Sequence, residues 1–189
     1  MFQIPRRDGI SIAALQAEIA QVPLEKIPDN SGTARGENTR EGWIKGLSMA
    51  RLCGPDYPDK LHEYPVIDHC VNIFANQQKR GIVQVMVNEL APHSTLEIHR
   101  DGRPANFRWH LPVFTNSDVQ WYDEIGGWEH MELGKWCGPV NYCHVLHSMT
   151  NDGEQRRIHL IVDLAMSVKG QELYERMHIV NSTDLVAVD

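Results

Sequence analysis

The sequence predicts a mainly β fold, a sandwich or barrel over residues 82–167 with helices from the N-terminal third packed on it. Three observations carry that expectation. Ile82-Val83-Gln84-Val85-Met86-Val87 is a run rich in β-branched residues. Phe107–Leu111 and Arg157–Leu164 alternate apolar and polar residues with the period of two that a half-buried strand requires. Between them, Gly126-Gly127 and Gly138-Pro139 read as turn punctuation, spaced as in folds of many short strands.

The flanking elements follow in chain order. Ile12, Leu15, Ile19 and Val22 recur at helical spacing, with Ser11 or Asp8 able to cap the segment and Pro23 and Pro28 ending it. Residues 29–42, DNSGTARGENTREG, are polar and rich in turn formers, which predicts a loop. A second helix is expected from about Val66 to Gln78, with Ile67, Val71 and Phe74 on its apolar side and Lys79-Arg80-Gly81 as its stop. Residues 1–81 thus read as a helical and loop flank, 82–167 as the β core and 168–189 as a C-terminal segment of one domain. A chain of 189 residues suffices for one well-buried core.

Composition narrows the function. The net charge is −7, and the basic residues occur as scattered pairs (Arg6-Arg7, Lys79-Arg80, Arg156-Arg157), so a nucleic-acid partner is not expected. No apolar run reaches the roughly 20 residues that span a bilayer. The N-terminus lacks the continuous apolar region and small-residue cleavage site of a secretory signal. Cys53, Cys70, Cys137 and Cys143 form no CxxC pair, which suits reduced thiols in a cytoplasmic protein. Oligomeric state is not readable. Six of the ten histidines lie between His93 and His147, and that is where chemistry is expected.

On a strand, residues i and i+2 share a face. His99 can therefore project with Asp101, Arg108 with His110, and Arg157 with His159. With the apolar partners packed outward, these polar groups line a cavity, since buried charge needs a partner, a metal or an anion. Two imidazoles and a carboxylate can hold Fe(II) on one face and leave positions open. An arginine ten residues after a distal histidine offers a planar fork for a carboxylate.

The stretches IHRDGRPANFRWHLPV and HSMTNDGEQRRIHLIVDL resemble the aspartyl/asparaginyl β-hydroxylase family of 2-oxoglutarate-dependent oxygenases, over residues 82–165. In that family a first histidine is followed after nine and eleven residues by arginine and histidine, here Arg108 and His110. A distal histidine is followed after ten by arginine and a strand ending I-V-D, here His147, Arg157 and Ile161-Val162-Asp163. The resemblance implies a double-stranded β-helix, the jelly-roll or cupin-like architecture. It implies that His99 and His147 bind Fe(II), that Arg157 pairs with the distal carboxylate of 2-oxoglutarate, and that Arg108 and His110 lie near its chelating end. The reaction implied is hydroxylation of an unactivated C–H bond by O2, with release of succinate and CO2. The substrate would be a small molecule (an amino acid or derivative) or a peptidyl Asp, Asn or Pro.

Two positions depart from the aspartyl hydroxylases. Asp101 stands where they have glycine, which completes an HxD…H triad as in the proline cis-3-hydroxylase-like branch. Asn88 stands where they have a serine that helps hold the cosubstrate, and an amide can still donate there. His144 competes with His147 as distal ligand but breaks the interval to Arg157. His93 and His130 are expected in exposed loops, and His159 is open between a cosubstrate contact and a hydrogen-bonded core histidine. Trp109, Trp121, Trp128 and Trp136 are expected to pack between barrel and helices rather than wall a pocket. Arg103 and Arg156 are expected at the solvated surface, with a substrate carboxylate as their other reading. A non-catalytic jelly-roll metal- or 2-oxoglutarate-binding protein, such as a sensor, is the main alternative, and it gives Arg157 and Arg108 no task. A zinc hydrolase lacks a general base at a fixed spacing such as HExxH.

Overall fold

The computed structural model describes residues 2–26, 39–45, 60–100, 107–140 and 145–165. Its strands are β1 (Phe2–Pro5), β2 (Glu25–Lys26), β3 (Thr39–Lys45), β4 (Ile82–Leu90), β5 (Ser94–His99), β6 (Phe107–Phe114), β7 (Val119–Asp123), β8 (Gly127–Glu129), β9 (Lys135–Val140), β10 (His147–Asn151) and β11 (Arg157–Leu164). Two helices, α1 (Ile12–Ile19) and α2 (Pro65–Gln78), accompany them. The strands form two antiparallel sheets. The larger has the order β1-β9-β6-β11-β4-β3-β2 and the smaller β5-β10-β7-β8.

Alternation decides what each face of the large sheet covers. Val85 and Val87 of β4, Trp109, Leu111 and Val113 of β6, and Ile158, Leu160, Val162 and Leu164 of β11 form one core with Leu15 and Ile19 of α1 and Ile67, Val71 and Phe74 of α2. Trp136 stacks on Phe74 with ring centroids 4.1 Å apart, and Trp109 meets the same ring edge-on at 5.1 Å. The helices thus consume the apolar face. The opposite face carries Asn88, Arg108, His110, Arg157, His159 and Asp163, and it looks toward the small sheet across a second core of Leu90, Trp121, Met131, Cys137, Val140 and Met149.

The N-terminal flank holds more strand than expected. Residues 39–42, expected as loop, begin β3, which pairs with β4 from Thr39↔Leu90 onward. Without β3, β4 would present an unpaired edge, and closing that edge outweighs the weak strand propensity of Thr-Arg-Glu-Gly. The remainder of the expected loop, 29–38, lies outside the described residues, as does the C-terminal segment 168–189.

Two stop signals also resolve differently. Helix α2 ends on Lys79 in the left-handed region (φ 54°), with Lys79 N–H donating to Asn76 and Arg80 N–H to Ala75, so Gly81 is not the cap. That is a Schellman closure made by a lysine. Gly138-Pro139, expected as a turn, lies inside β9, where the pairing with β6 slips between Arg108↔Val140 and His110↔Cys137. Glycine is required there because a Cβ would sit 2.9 Å from both the Arg108 carbonyl oxygen and the Trp109 ring.

Helix α1 is capped by Ser11, whose hydroxyl accepts from Ala14 N–H at 3.1 Å. Helix α2 has no cap of its own, because Tyr64 supplies none. Instead the buried carboxylate of Glu18, on α1, accepts from Val66 N–H at 3.1 Å and Ile67 N–H at 2.6 Å. One side chain therefore caps the second helix and docks the first on it. Replacing Glu18 with leucine strands one buried and one partly buried donor, and urea denaturation should show a loss of about 2 kcal/mol.

Candidate active site

The small sheet brings His99 and His147 together at its edge, where β5 ends and β10 begins. They are register partners, and their ring centroids lie 4.3 Å apart. Parity alone would not allow it. Met149 pairs with Leu96 and His147 with His99, so two steps on β10 match three on β5. The extra residue is a β-bulge, and it turns His99 onto the inward face already held by Leu96. His147 is buried and His99 half-buried.

Both rings point Nδ1 at the carbonyl two residues back, His99 to Glu97 at 2.6 Å and His147 to Val145 at 3.1 Å. A carbonyl only accepts, so each ring carries its proton on Nδ1 and its lone pair on Nε2, the arrangement that metal-ligating histidines use. Glu124 steadies both ends. Its carboxylate accepts from Leu146 N–H at 3.0 Å and pairs with Arg100 at 3.3 Å, holding the residues just before His147 and just after His99. Nothing in the sequence marked Glu124, since its role depends on the turn after β7 meeting both segments.

From His147 a row of side chains crosses to the large sheet. Trp121 stacks on His147 at 5.2 Å and 16°, and His110 lies 5.2 Å from Trp121. His159 Nδ1 is 3.4 Å from His110 Nδ1, and Arg157 Nη2 bonds His159 Nδ1. Arg157 Nη1 bonds the Asn88 side-chain oxygen and, at 3.3 Å, its main-chain oxygen. With Oδ1 committed to arginine, any bond Asn88 gives a ligand comes from its Nδ2.

Arg157 is 0% exposed. Burial alone draws its guanidinium down to about 9, so it is still charged at neutral pH. Among the described residues no carboxylate pairs with it, and its Nε has no hydrogen-bond partner. Arg108 contrasts with it. Its Nε and Nη2 engage Asp163 at 2.8 and 3.0 Å, a pair set by the Asp163↔Arg108 register of β11 and β6. Of the arginines expected at the cosubstrate, Arg108 is thus neutralised within the protein and Arg157 is not.

The same burial, with Arg157, His110 and His130 nearby, holds His159 well below the ordinary histidine value. The unfolded chain takes up a proton there near pH 6.5 while the native protein does not. Stability contributed by neutral His159 is therefore present above pH 6.5 and lost as pH falls below it. Melting curves of the wild type minus those of His159→Asn should show that slope, up to about 1 kcal/mol per pH unit.

Asp101, Arg103 and His144 lie outside the described residues, and no group of three metal-binding side chains occurs among the described ones. Arg156 pairs with Glu89 at 3.2 Å, which leaves it a surface role. His93 is exposed and faces Glu154 at 3.2 Å. His130, expected in solvent, is instead half-buried and bonds the Val119 carbonyl. Trp109 and Trp136 pack on the helices as expected, Trp121 walls the site, and Trp128 stays 52% exposed. Cys70 and Cys137 are buried thiols whose pKa burial raises, unreactive at neutral pH. No described helix is long and apolar enough to cross a membrane.

A family model described as aspartyl/asparaginyl beta-hydroxylase matches residues 12–166. Among solved structures, a 2OG-Fe(II) oxygenase family oxidoreductase from Burkholderia pseudomallei superposes with a TM-score of 0.58 at 13% identity, over 82% of this chain and 78% of that one. The viral collagen prolyl hydroxylase of Paramecium bursaria Chlorella virus-1 gives 0.55 at 13% identity, over 86% and 94%. A Pseudomonas putida prolyl-4-hydroxylase gives 0.52 at 13%, over 88% and 92%. At this identity the likeness is one of fold, the jelly roll. No curated protein sequence matches the chain significantly.

Proposed function

Since the chain belongs to the aspartyl/asparaginyl β-hydroxylase family, we propose that it hydroxylates an unactivated C–H bond of a free amino acid or amino-acid derivative. Membership makes it a 2-oxoglutarate-dependent hydroxylase drawing on iron(II), 2-oxoglutarate and dioxygen. A peptidyl Asp, Asn or Pro side chain is the other substrate in reach of this chemistry. The observation that carries the site assignment is Arg157, a fully buried cation with no carboxylate among the described residues, at one end of a row of side chains that begins at His99 and His147.

In this reading His99 and His147, with Asp101, would hold iron(II). Iron(II) held there would supply the dioxygen-activating chemistry of the hydroxylation. The chain's own residues do the rest. Arg157 receives the distal carboxylate, and Asn88 orients the guanidinium. His110 lines the path between that anchor and the metal end. Arg108, already balanced by Asp163, shapes the chelating end without adding a net positive charge. Trp121, Leu90 and Met149 exclude water from the space between the sheets, which strengthens each charged contact.

Substrate class is tested by supplying Fe(II), ascorbate and 2-oxoglutarate with a panel of free amino acids and short peptides, and reading the mass gain of one oxygen. Gain on free amino acids supports the proposal; gain confined to peptides replaces its substrate half.

A further inference from the structure

Five N–H donors radiate from Arg157, and three are taken by the protein. Asn88 accepts from Nη1 at both its side-chain and main-chain oxygens, and His159 Nδ1 accepts from Nη2. What remains is Nε–H, which has no partner among the described residues, and the second hydrogen of Nη2. Those two sit on adjacent nitrogens, the edge that grips a carboxylate with two parallel bonds. The edge on offer is therefore chosen by what occupies the other donors.

We propose that His159 is a positioning residue for the cosubstrate, its Nδ1 holding one hydrogen of Nη2 so that the Nε/Nη2 edge of Arg157 faces the distal carboxylate. This rests on the reading that Arg157 binds 2-oxoglutarate. The tautomer follows from the same contact. Arginine can only donate, so Nδ1 carries no proton and neutral His159 carries it on Nε2, a buried atom with no partner among the described residues. His110 then has its own tautomer set for it. Its Nδ1 lies 3.4 Å from a nitrogen that already accepts, and it can bond there only as an Nδ1–H donor. One guanidinium thus orders two imidazoles, and the nearer imidazole in turn aims the guanidinium. Neither histidine is needed for charge. His159 is needed for its acceptor.

The test separates shape from hydrogen bonding. Asparagine places an oxygen close to where histidine has Nδ1, whereas leucine fills the space and accepts nothing. Calorimetry of 2-oxoglutarate on anaerobic Fe(II)-loaded protein should show Kd raised about tenfold or more in His159→Leu, the worth of one charge-assisted bond. In His159→Asn it should stay within about threefold of wild type, and Fe(II) affinity should not change in either variant. Wild-type affinity in His159→Leu, or equal loss in both variants with unchanged melting temperatures, overturns the inference. Nitrogen-15 NMR of the ligand-free protein, with His159 assigned by its absence in the asparagine variant, gives a reading independent of cosubstrate. An Nε2–H tautomer supports the network and an Nδ1–H tautomer overturns it. Failure of wild-type protein to bind 2-oxoglutarate would instead sink the Arg157 reading, and the inference with it.

Discussion

Replacing Arg157 with leucine should abolish measurable 2-oxoglutarate binding while leaving Fe(II) binding and the fold intact. The charge is fully buried, 0% exposed, and is held there by neutral acceptors. Arg100, Arg108 and Arg156 each have a carboxylate, so a built-in counter-ion was open to this fold elsewhere. Leaving a buried charge unpaired is costly, and a bound dicarboxylate removes that cost. Loss of one partner from such a pair costs about 3–5 kcal/mol, or roughly 10²- to 10⁴-fold in Kd. The ligand-free protein should respond differently. Leucine removes the desolvation penalty but also takes the donor from Asn88 Oδ1 and His159 Nδ1, so its melting temperature should fall modestly, and saturating 2-oxoglutarate should no longer raise it. Wild-type protein at 100 times Kd should gain about 2.7 kcal/mol. Arg157→Lys, which keeps charge but not the fork, should fall between the two.

Replacing His147 with alanine should remove Fe(II) binding with no loss of folded structure, read by equilibrium dialysis. An imidazole whose Nδ1 is fixed on Val145 has its Nε2 lone pair pre-aimed, and its loss takes away a ligand rather than a tuning contact. Perturbing the outer partners of a metal ligand costs 10- to 100-fold in affinity, so deleting the ligand should cost at least about 100-fold. His99→Ala should behave alike. Because Trp121 stacks on His147, its fluorescence should respond to metal in the wild type and fall silent in the variant.

Much of the β core was readable because alternation is a local signal that burial enforces. Strand β11 begins and ends where the pattern Arg157–Leu164 predicted, and its apolar face joins the helix-side core while Arg157, His159 and Asp163 take the other face, as the parity required. Strand β3 was not readable, since its pairing answers the open edge of β4, which lies far along the chain. Gly138-Pro139 misled because the same residues that make turns also mark bulges and close approaches within a strand. The site shows the same division. Residue type and interval singled out His99, His147, Arg157 and Asn88, and the structure brings His99 to His147 and Asn88 to Arg157. The bulge that brings His99 to face His147, the pairing of Arg108 with Asp163, and the contact of His159 with Arg157 depend on inter-strand register, which no interval along the chain encodes. Asp101, the residue that distinguishes a full triad from a two-histidine site, lies outside the described residues.

The most direct test of the whole account is succinate formation from 2-oxoglutarate by anaerobically Fe(II)-loaded protein on admission of O2, with amino-acid substrates present and His147→Ala alongside. Wild-type protein should form succinate, stimulated by at least one substrate, and the variant none above background. Equal succinate from both proteins, or none from a wild type shown to hold iron and 2-oxoglutarate, would contradict it.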